Sequence, residues 1–251
     1  MRRIVVGLLG AVAMSVSAYA ADMPVKARPA PVATAYNWSG CYVGAYAGGG
    51  WASNSATSRD INGYNALGDT WSYKPNGSVI AGGTLGCNYT VAPNWILGIE
   101  GEAGYMRVRG AAFDPLSPFI PLDTEALTRV GDWYGVVAGR LGYSWANWLL
   151  YGKAGVAFAN VEYGVNDTNP AGGNTIFTRK SNTQAALAIG GGLEYGLTKN
   201  WTVKGEYLYV DFRASDTTCG AATVGGGTFC WSNSFRGVHT AKLGINYFFG
   251  H

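Results

Sequence analysis

The dipeptide Asn-Trp occurs four times, as Asn37-Trp38, Asn94-Trp95, Asn147-Trp148 and Asn200-Trp201, at spacings of 57, 53 and 53 residues. A period of that length marks a repeated supersecondary unit. Each copy opens a run rich in Gly, Val, Ala, Leu and Tyr; a long polar stretch follows, and a second apolar run closes the unit. Four units predict four hairpins, hence eight strands: Gly40–Trp51, Ser78–Val91, Trp95–Val108, Asp132–Ala146, Trp148–Glu162, Thr183–Leu197, Trp201–Phe212 and Gly237–Phe249. Very short connections (Ala92-Pro93-Asn94, Asn147, Thr198-Lys199-Asn200) alternate with long ones (Ser53–Asn76, Arg109–Gly131, Tyr163–Asn182, Arg213–Arg236).

Side chains alternate between the two faces of a strand. In the third strand Trp95, Leu97, Ile99, Gly101, Ala103 and Tyr105 share a face opposite Glu100 and Glu102. In the fourth, Trp133, Val137, Leu141, Tyr143 and Trp145 oppose Arg140; in the seventh, Trp201, Val203, Tyr207 and Tyr209 oppose Lys204 and Glu206. The last sets Ala241, Leu243, Ile245, Tyr247 and Phe249 against Lys242 and Asn246. A soluble sandwich or lipocalin-like barrel would bury the Trp and Tyr and expose the charges, so this pattern reads as apolar-out and charged-in. No apolar run after the N-terminal segment is long enough for a membrane helix, and lipid cannot satisfy an open sheet edge. The expected fold is all-β: a transmembrane antiparallel up-and-down β-barrel of eight strands, with short periplasmic turns and long extracellular loops. Composition agrees. Charged residues are 13%, roughly half the usual share, and 25 of the 34 aromatics are the interface-seeking Tyr and Trp. Two girdles are expected: Tyr89, Trp95, Tyr143, Trp145, Trp148, Tyr195, Trp201, Tyr247 and Phe249 at the periplasmic ends, and Tyr105, Trp133, Phe158 and Tyr209 at the others. The first strand departs from this, since its apparent lipid face of Cys41, Val43, Ala45 and Ala47 is out of phase with Trp38.

The N-terminus has the form of a secretory signal. Arg2 and Arg3 precede an apolar run from Ile4 to Val16, and Ala18-Tyr19-Ala20 places cleavage before Ala21. The expected organisation is a signal peptide over 1–20, a linker over 21–36 carrying Pro24, Pro29 and Pro31, and a barrel over 37–251. Loss of Arg2 and Arg3 takes the basic count from 18 to 16 against 15 acids, and no basic stripe remains, so nucleic acid is not an expected partner.

With these residues in view the chain resembles the alphaproteobacterial outer-membrane surface-antigen family, the porin-like or immunogenic outer-membrane proteins. The resemblance rests on Ala21–Lys26, Asn37–Gly44, Asn94–Gly101, Gly139–Tyr143, Gly192–Tyr195 and Lys204–Asp211, which recur in order along nearly the whole chain. It implies residence in the outer membrane, an eight-stranded barrel and an abundant structural role, with no catalytic motif to carry over. The stretch Lys242–Phe249 looks like the terminal signal read by the barrel-assembly machinery, although Gly250 and His251 follow it. Expected partners are that machinery, outer-membrane lipid and lipopolysaccharide, and a loop ligand the sequence does not name.

Alternation turns Glu100, Glu102, Glu194 and Glu206 inward, together with Arg140, Lys153, Lys204 and Lys242. Eight strands leave a lumen that side chains can fill, so four acids and four bases should pair and close it. Inward Gly98, Gly142, Gly190 and Gly192 argue the other way, for a narrow porin with gaps for water. An oxidising periplasm makes the four cysteines disulfide candidates. Cys219 and Cys230 lie in one expected loop, which favours a bridge there; Cys41 and Cys87 lie at periplasmic strand ends and read either as a cross-strand bridge or as two lipid-facing thiols. The only histidines, His239 and His251, have no metal-ligand spacing to Cys. Some membrane barrels that trim lipid A use a lipid-facing His with Ser two residues on; here that position is Ala241. No enzyme, metal or cofactor is expected.

Overall fold

The computed structural model describes residues 36–64, 66–115, 124–168 and 175–249. The expected signal peptide and nearly all of the linker lie outside the described residues, as do Gly250 and His251. Ten antiparallel strands are present among those described: β1 (Gly40–Ala52), β2 (Ala56–Asp60), β3 (Thr70–Tyr73), β4 (Ser78–Ala92), β5 (Trp95–Phe113), β6 (Thr124–Trp145), β7 (Trp148–Thr168), β8 (Thr175–Gly196), β9 (Trp201–Ala221) and β10 (Thr228–Phe249). Eight of them form a ring in the order β1-β4-β5-β6-β7-β8-β9-β10, closed by β1 on β10. Closure leaves no sheet edge in the part of the wall that faces lipid. No helix of the described residues is long and apolar enough to cross a membrane.

Two tight turns, Pro93-Asn94 and Ala146-Asn147, join strands whose flanking residues pair directly, Ala92 with Trp95 and Trp145 with Trp148. Asn94 (φ 67°) and Ala146 (φ 48°) adopt the left-handed conformation such turns require. The second connection thus includes Ala146 as well as Asn147.

The long connections are shorter than the sequence suggests. The expected strand limits at Val108, Asp132, Glu162, Thr183, Phe212 and Gly237 are passed, and β5 to β10 continue 5 to 9 residues beyond them, to Phe113, Thr124, Thr168, Thr175, Ala221 and Thr228. These extensions reverse the rule of the lipid belt. In β7, Val161, Tyr163 and Val165 are buried while Glu162 and Asn166 face outward. Above the girdle the barrel stands in water, so apolar-in and polar-out wins, and the high polarity imitates a loop.

The first long connection holds the β2–β3 hairpin, which pairs Thr57–Asp60 of β2 with Trp231–Ser234 of β10. Meanwhile the β8–β9 ladder stops at Leu187 and Asp211, although β7–β8 runs on to Thr168 and Thr175 and β9–β10 to Ala221 and Thr228. The ring therefore divides upward into two four-stranded sheets, β5-β6-β7-β8 and β9-β10-β2-β3. They share one apolar core containing Trp71, Val108, Val130, Ile176, Trp231 and Phe235. Side chains bridge the seam between β8 and β9: Thr178 Oγ1 donates to the Cys219 carbonyl at 2.9 Å, and Lys180 and Asn182 donate to Asp216 at 2.7 and 2.8 Å. Burial raises the Asp216 carboxyl, but these bonds and the Thr217 amide outweigh it and hold the group below the usual carboxylate range.

Bulges mark the change of regime. One interrupts β6 between Val130 and Tyr134, where Gly131 takes φ 110°, a conformation that suits only glycine. The other separates Phe235 from Gly237 in β10. It shifts the inward set from Val238, Thr240 and Lys242 to Phe235, Asn233 and Trp231, which lets the upper core form.

Candidate functional site

The interior of the ring is layered along its axis. The middle layer is charged. Glu100 and Glu102 come from β5, Arg140 from β6, Lys153 from β7, Glu194 from β8, Lys204 and Glu206 from β9, and Lys242 from β10, and all eight are buried. Arg140 donates to Glu194 at 2.7 Å and to the Tyr42 hydroxyl at 2.8 Å, and Tyr42 donates to Glu100 at 2.6 Å. The Lys153 ammonium reaches Glu100 (2.6 Å) and Glu206 (3.3 Å) and also bonds Glu102. Lys242 joins Glu102 (2.6 Å) to Glu206 (2.7 Å). Lys204 bonds Glu100 at 2.8 Å; β5 and β9 lie four places apart in a ring of eight, so this pair spans the full diameter. Neutral groups complete the set: Thr202 and Asn246 donate to Glu194 at 2.5 and 2.8 Å, and Tyr151 donates to Glu206 at 2.9 Å. The carboxylates of Glu100, Glu102 and Glu206 lie close enough together to suggest a cation site, but the Lys153 and Lys242 ammonium groups already occupy that position.

The inward glycines make room for this network. A Cβ at Gly98 would lie 2.9 Å from Arg140 Cγ, one at Gly142 2.7 Å from Leu149 Cδ1, and one at Gly192 2.8 Å from Tyr151 Cζ. Gly190 instead abuts the backbone of Tyr207 and Leu208. The Arg140 guanidinium stacks 3.9 Å from the centre of the Tyr151 ring, a cation–π contact that adds to its ion pairs. Some polar atoms remain without a protein partner, namely Thr84 Oγ1, both amide atoms of Asn88, Arg140 Nε and Asn246 Oδ1.

Below the charges lies an aromatic layer of Trp38, Tyr42, Ile96, Leu149, Tyr151 and Phe248, with Tyr36 packed against it. Tyr36 packs on Trp38 with centroids 4.6 Å apart and ring planes tilted by 54°, and its amide donates to the Ala146 carbonyl, in the β6–β7 turn, at 3.2 Å. The chain entering β1 therefore crosses the periplasmic mouth before it joins the wall. Trp38 points inward and is buried, unlike Trp95, Trp148 and Trp201. Its position has the parity of Tyr42 and Tyr46, both inward; that signal was present in the sequence beside the repeat.

The lipid face is as regular as the interior. Trp95, Tyr143, Trp145, Trp148, Trp201, Tyr247 and Phe249 are exposed at the periplasmic end, and Tyr105, Trp133 and Phe158 at the other. Trp51 and His239 join the outer ring, where His239 Nδ1 lies 2.6 Å from the Tyr207 hydroxyl and its imidazole packs on Trp51 and Tyr209. Cys41 and Cys87 are cross-strand partners on β1 and β4, and the structure joins them, with Cα atoms 3.9 Å apart. Cys219 and Cys230 are joined as cross-strand partners of β9 and β10 (Cα–Cα 4.1 Å), inside the strands rather than in the expected loop. Non-reducing peptide mapping of protein from the outer membrane is expected to yield these two linked pairs. A Cys41–Cys219 peptide would contradict both.

A closed ring that is apolar outward, charged inward and girdled by aromatics at both ends defines an integral β-barrel of the outer-membrane class. The chain belongs to the outer membrane protein beta-barrel domain family, whose model matches residues 6–249. It is 30% identical over 239 residues to the 31 kDa outer-membrane immunogenic protein of Brucella melitensis, covering 93% of this chain and 94% of that protein. To the 22 kDa outer membrane protein of Rhizobium leguminosarum bv. viciae it is 29% identical over 195 residues, 76% of this chain and 72% of that one. Both relatives are alphaproteobacterial, and the present chain is likewise a protein of the outer membrane. Among solved structures, the outer membrane protease OmpT of Escherichia coli aligns over 86% of this chain and 98% of its own, with a TM-score of 0.50 at 11% identity. That likeness is one of fold alone.

Proposed function

We propose that this protein is a structural surface barrel of the cell envelope whose interior is closed to solutes. The observation that carries the reading is the Glu100–Lys204 pair, which spans the ring diameter, with Lys153 bonded to the same Glu100 and to Glu206, and Lys242 joining Glu206 to Glu102. A solute would have to break several buried ion pairs at once, and stripping one partner from a buried pair is strongly unfavourable. The aromatic layer and the chain crossing the mouth add a second obstruction below. The reading includes no catalytic role. His239, the described histidine, is engaged by interfacial aromatics, and the position two residues on is Ala241. The Brucella relative is named for immunogenicity, which accords with a surface-exposed structural protein.

A narrow solute path is the second reading. It is favoured by the partnerless polar atoms of Thr84, Asn88 and Asn246, which are groups that hold water in a protein interior. Planar-bilayer recording of the refolded protein separates the two. The closed barrel is expected to give no steady channels above the lipid baseline, with Glu206→Ala raising leakage and Ser181→Ala, on the outer surface, leaving it unchanged. Steady, large conductance from the wild type would overturn closure.

A further inference from the structure

The outer wall of β5 to β8, just above the aromatic girdle, carries four arginines that the lumen does not use: Arg107, Arg109, Arg129 and Arg179. Their arrangement is unbalanced. Arg107 is held by Asp132 at 2.6 Å, which keeps that carboxyl below its usual range, and Arg129 bonds Glu162 at 2.8 Å and lies 3.5 Å from the same Asp132, so two carboxylates stand against four arginines. Arg179 approaches the same Glu162 only to 3.8 Å and is largely exposed. Arg109 has no carboxylate within ion-pair distance among the described residues, yet it is the direct cross-strand partner of Arg129. Like charges opposed across a ladder repel, so a doubly basic pair is costly unless an anion lies between or over the two groups. Arg129 Nε is also buried without a partner. These groups line a recess of ≈ 410 Å³ with Gly110, Ala111 and Leu127 among its walls; three arginines and one glutamate leave it a net charge of +2.

Height decides the kind of anion. Arg107 and Arg109 lie two and four residues beyond Tyr105 of the outer girdle, or roughly 7 and 13 Å along the strand. That is the headgroup zone directly above the hydrocarbon edge. Guanidinium groups pair with phosphate through parallel hydrogen bonds, and the apolar part of the recess suits the sugar or acyl base of a lipid anchored below it. We propose that this recess binds a phosphate group of a phosphorylated glycolipid in the outer leaflet, with Arg109 and Arg129 as the primary donors and Arg179 as a flanking one.

The test uses full-length protein purified in detergent and native mass spectrometry. Bisphosphorylated lipid A is titrated in parallel with the same lipid after dephosphorylation. The wild type is expected to retain the phosphorylated lipid and not the dephosphorylated one. Arg109→Gln with Arg179→Gln should lower the bound fraction about tenfold, the effect of roughly one charge-assisted bond. Both side chains are exposed and make little internal contact, so the variant should fold; an unchanged heat-modifiable gel shift verifies this. Arg59→Gln, on the distal β2, should bind as the wild type does. Equal retention of the dephosphorylated lipid, or undiminished binding by the double variant, would overturn the site. Displacement by inorganic phosphate at matched concentration would assign it to a free anion, and binding of a sulfated oligosaccharide without lipid A binding would assign it to a soluble polyanion. Either result overturns the lipid assignment.

Discussion

Replacing Arg140 by Ala is expected to cost about 3–5 kcal/mol of barrel stability, the range for removing one partner of a buried ion pair. Arg140 is fully enclosed and bonds Glu194, Tyr42 and, at 3.5 Å, Glu100. Without it Glu194 keeps only the neutral donors Thr202 and Asn246. Glu100 would retain Lys153 and Lys204, so the damage should centre on Glu194. The cavity left above the Tyr151 ring, on which the guanidinium now stacks, adds to the loss. Urea unfolding in detergent micelles, followed by heat-modifiable gel mobility and tryptophan fluorescence, measures the change. Arg140→Ala combined with Glu194→Gln should recover part of it, because the orphaned charge is then absent. A loss below about 1 kcal/mol for the single variant would mean that the interior is wet enough to solvate Glu194, contrary to a dry, closed lumen.

Val137→Arg is expected to cost about 2–4 kcal/mol, the price of a cation at the middle of a lipid-facing barrel wall. Val137 is exposed on β6 between Trp133 of one girdle and Tyr143 of the other, with Gly101 and Val156 as its cross-strand partners. Ser181→Arg, on the outward face of β8 above the belt, should change stability by less than about 1 kcal/mol, since headgroups and water surround it. Unfolding from phospholipid vesicles gives both numbers. Equal effects at the two sites would refute the placement of the belt between Trp133 and Tyr143.

Much of this protein was determined by its sequence alone, because strand alternation is a local property. The outward Trp95-Leu97-Ile99 and Trp201-Val203 series, the inward Glu100, Arg140 and Lys204, and the tight turns at Asn94 and Asn147 each depend on neighbours two residues away. Four repeats of that pattern fix an eight-stranded ring. Tertiary structure decided what depends on distant partners. Which acid meets which base is set by the ring diameter and by strand stagger, so Lys204 with Glu100 and Arg140 with Glu194 could not be read from alternation. The upward strand extensions were hidden because the solvent changes at the girdle. The same two-residue period that means lipid outside at Leu97 means water outside at Glu162, and only the position of the membrane edge distinguishes them. The β2–β3 hairpin is short and polar, and it gains its strand identity from pairing with β10 and burying Trp71 in the shared upper core. Trp38 follows the parity of Tyr42, but its destination beneath the barrel exists only once the ring has closed and left a mouth for it to cover.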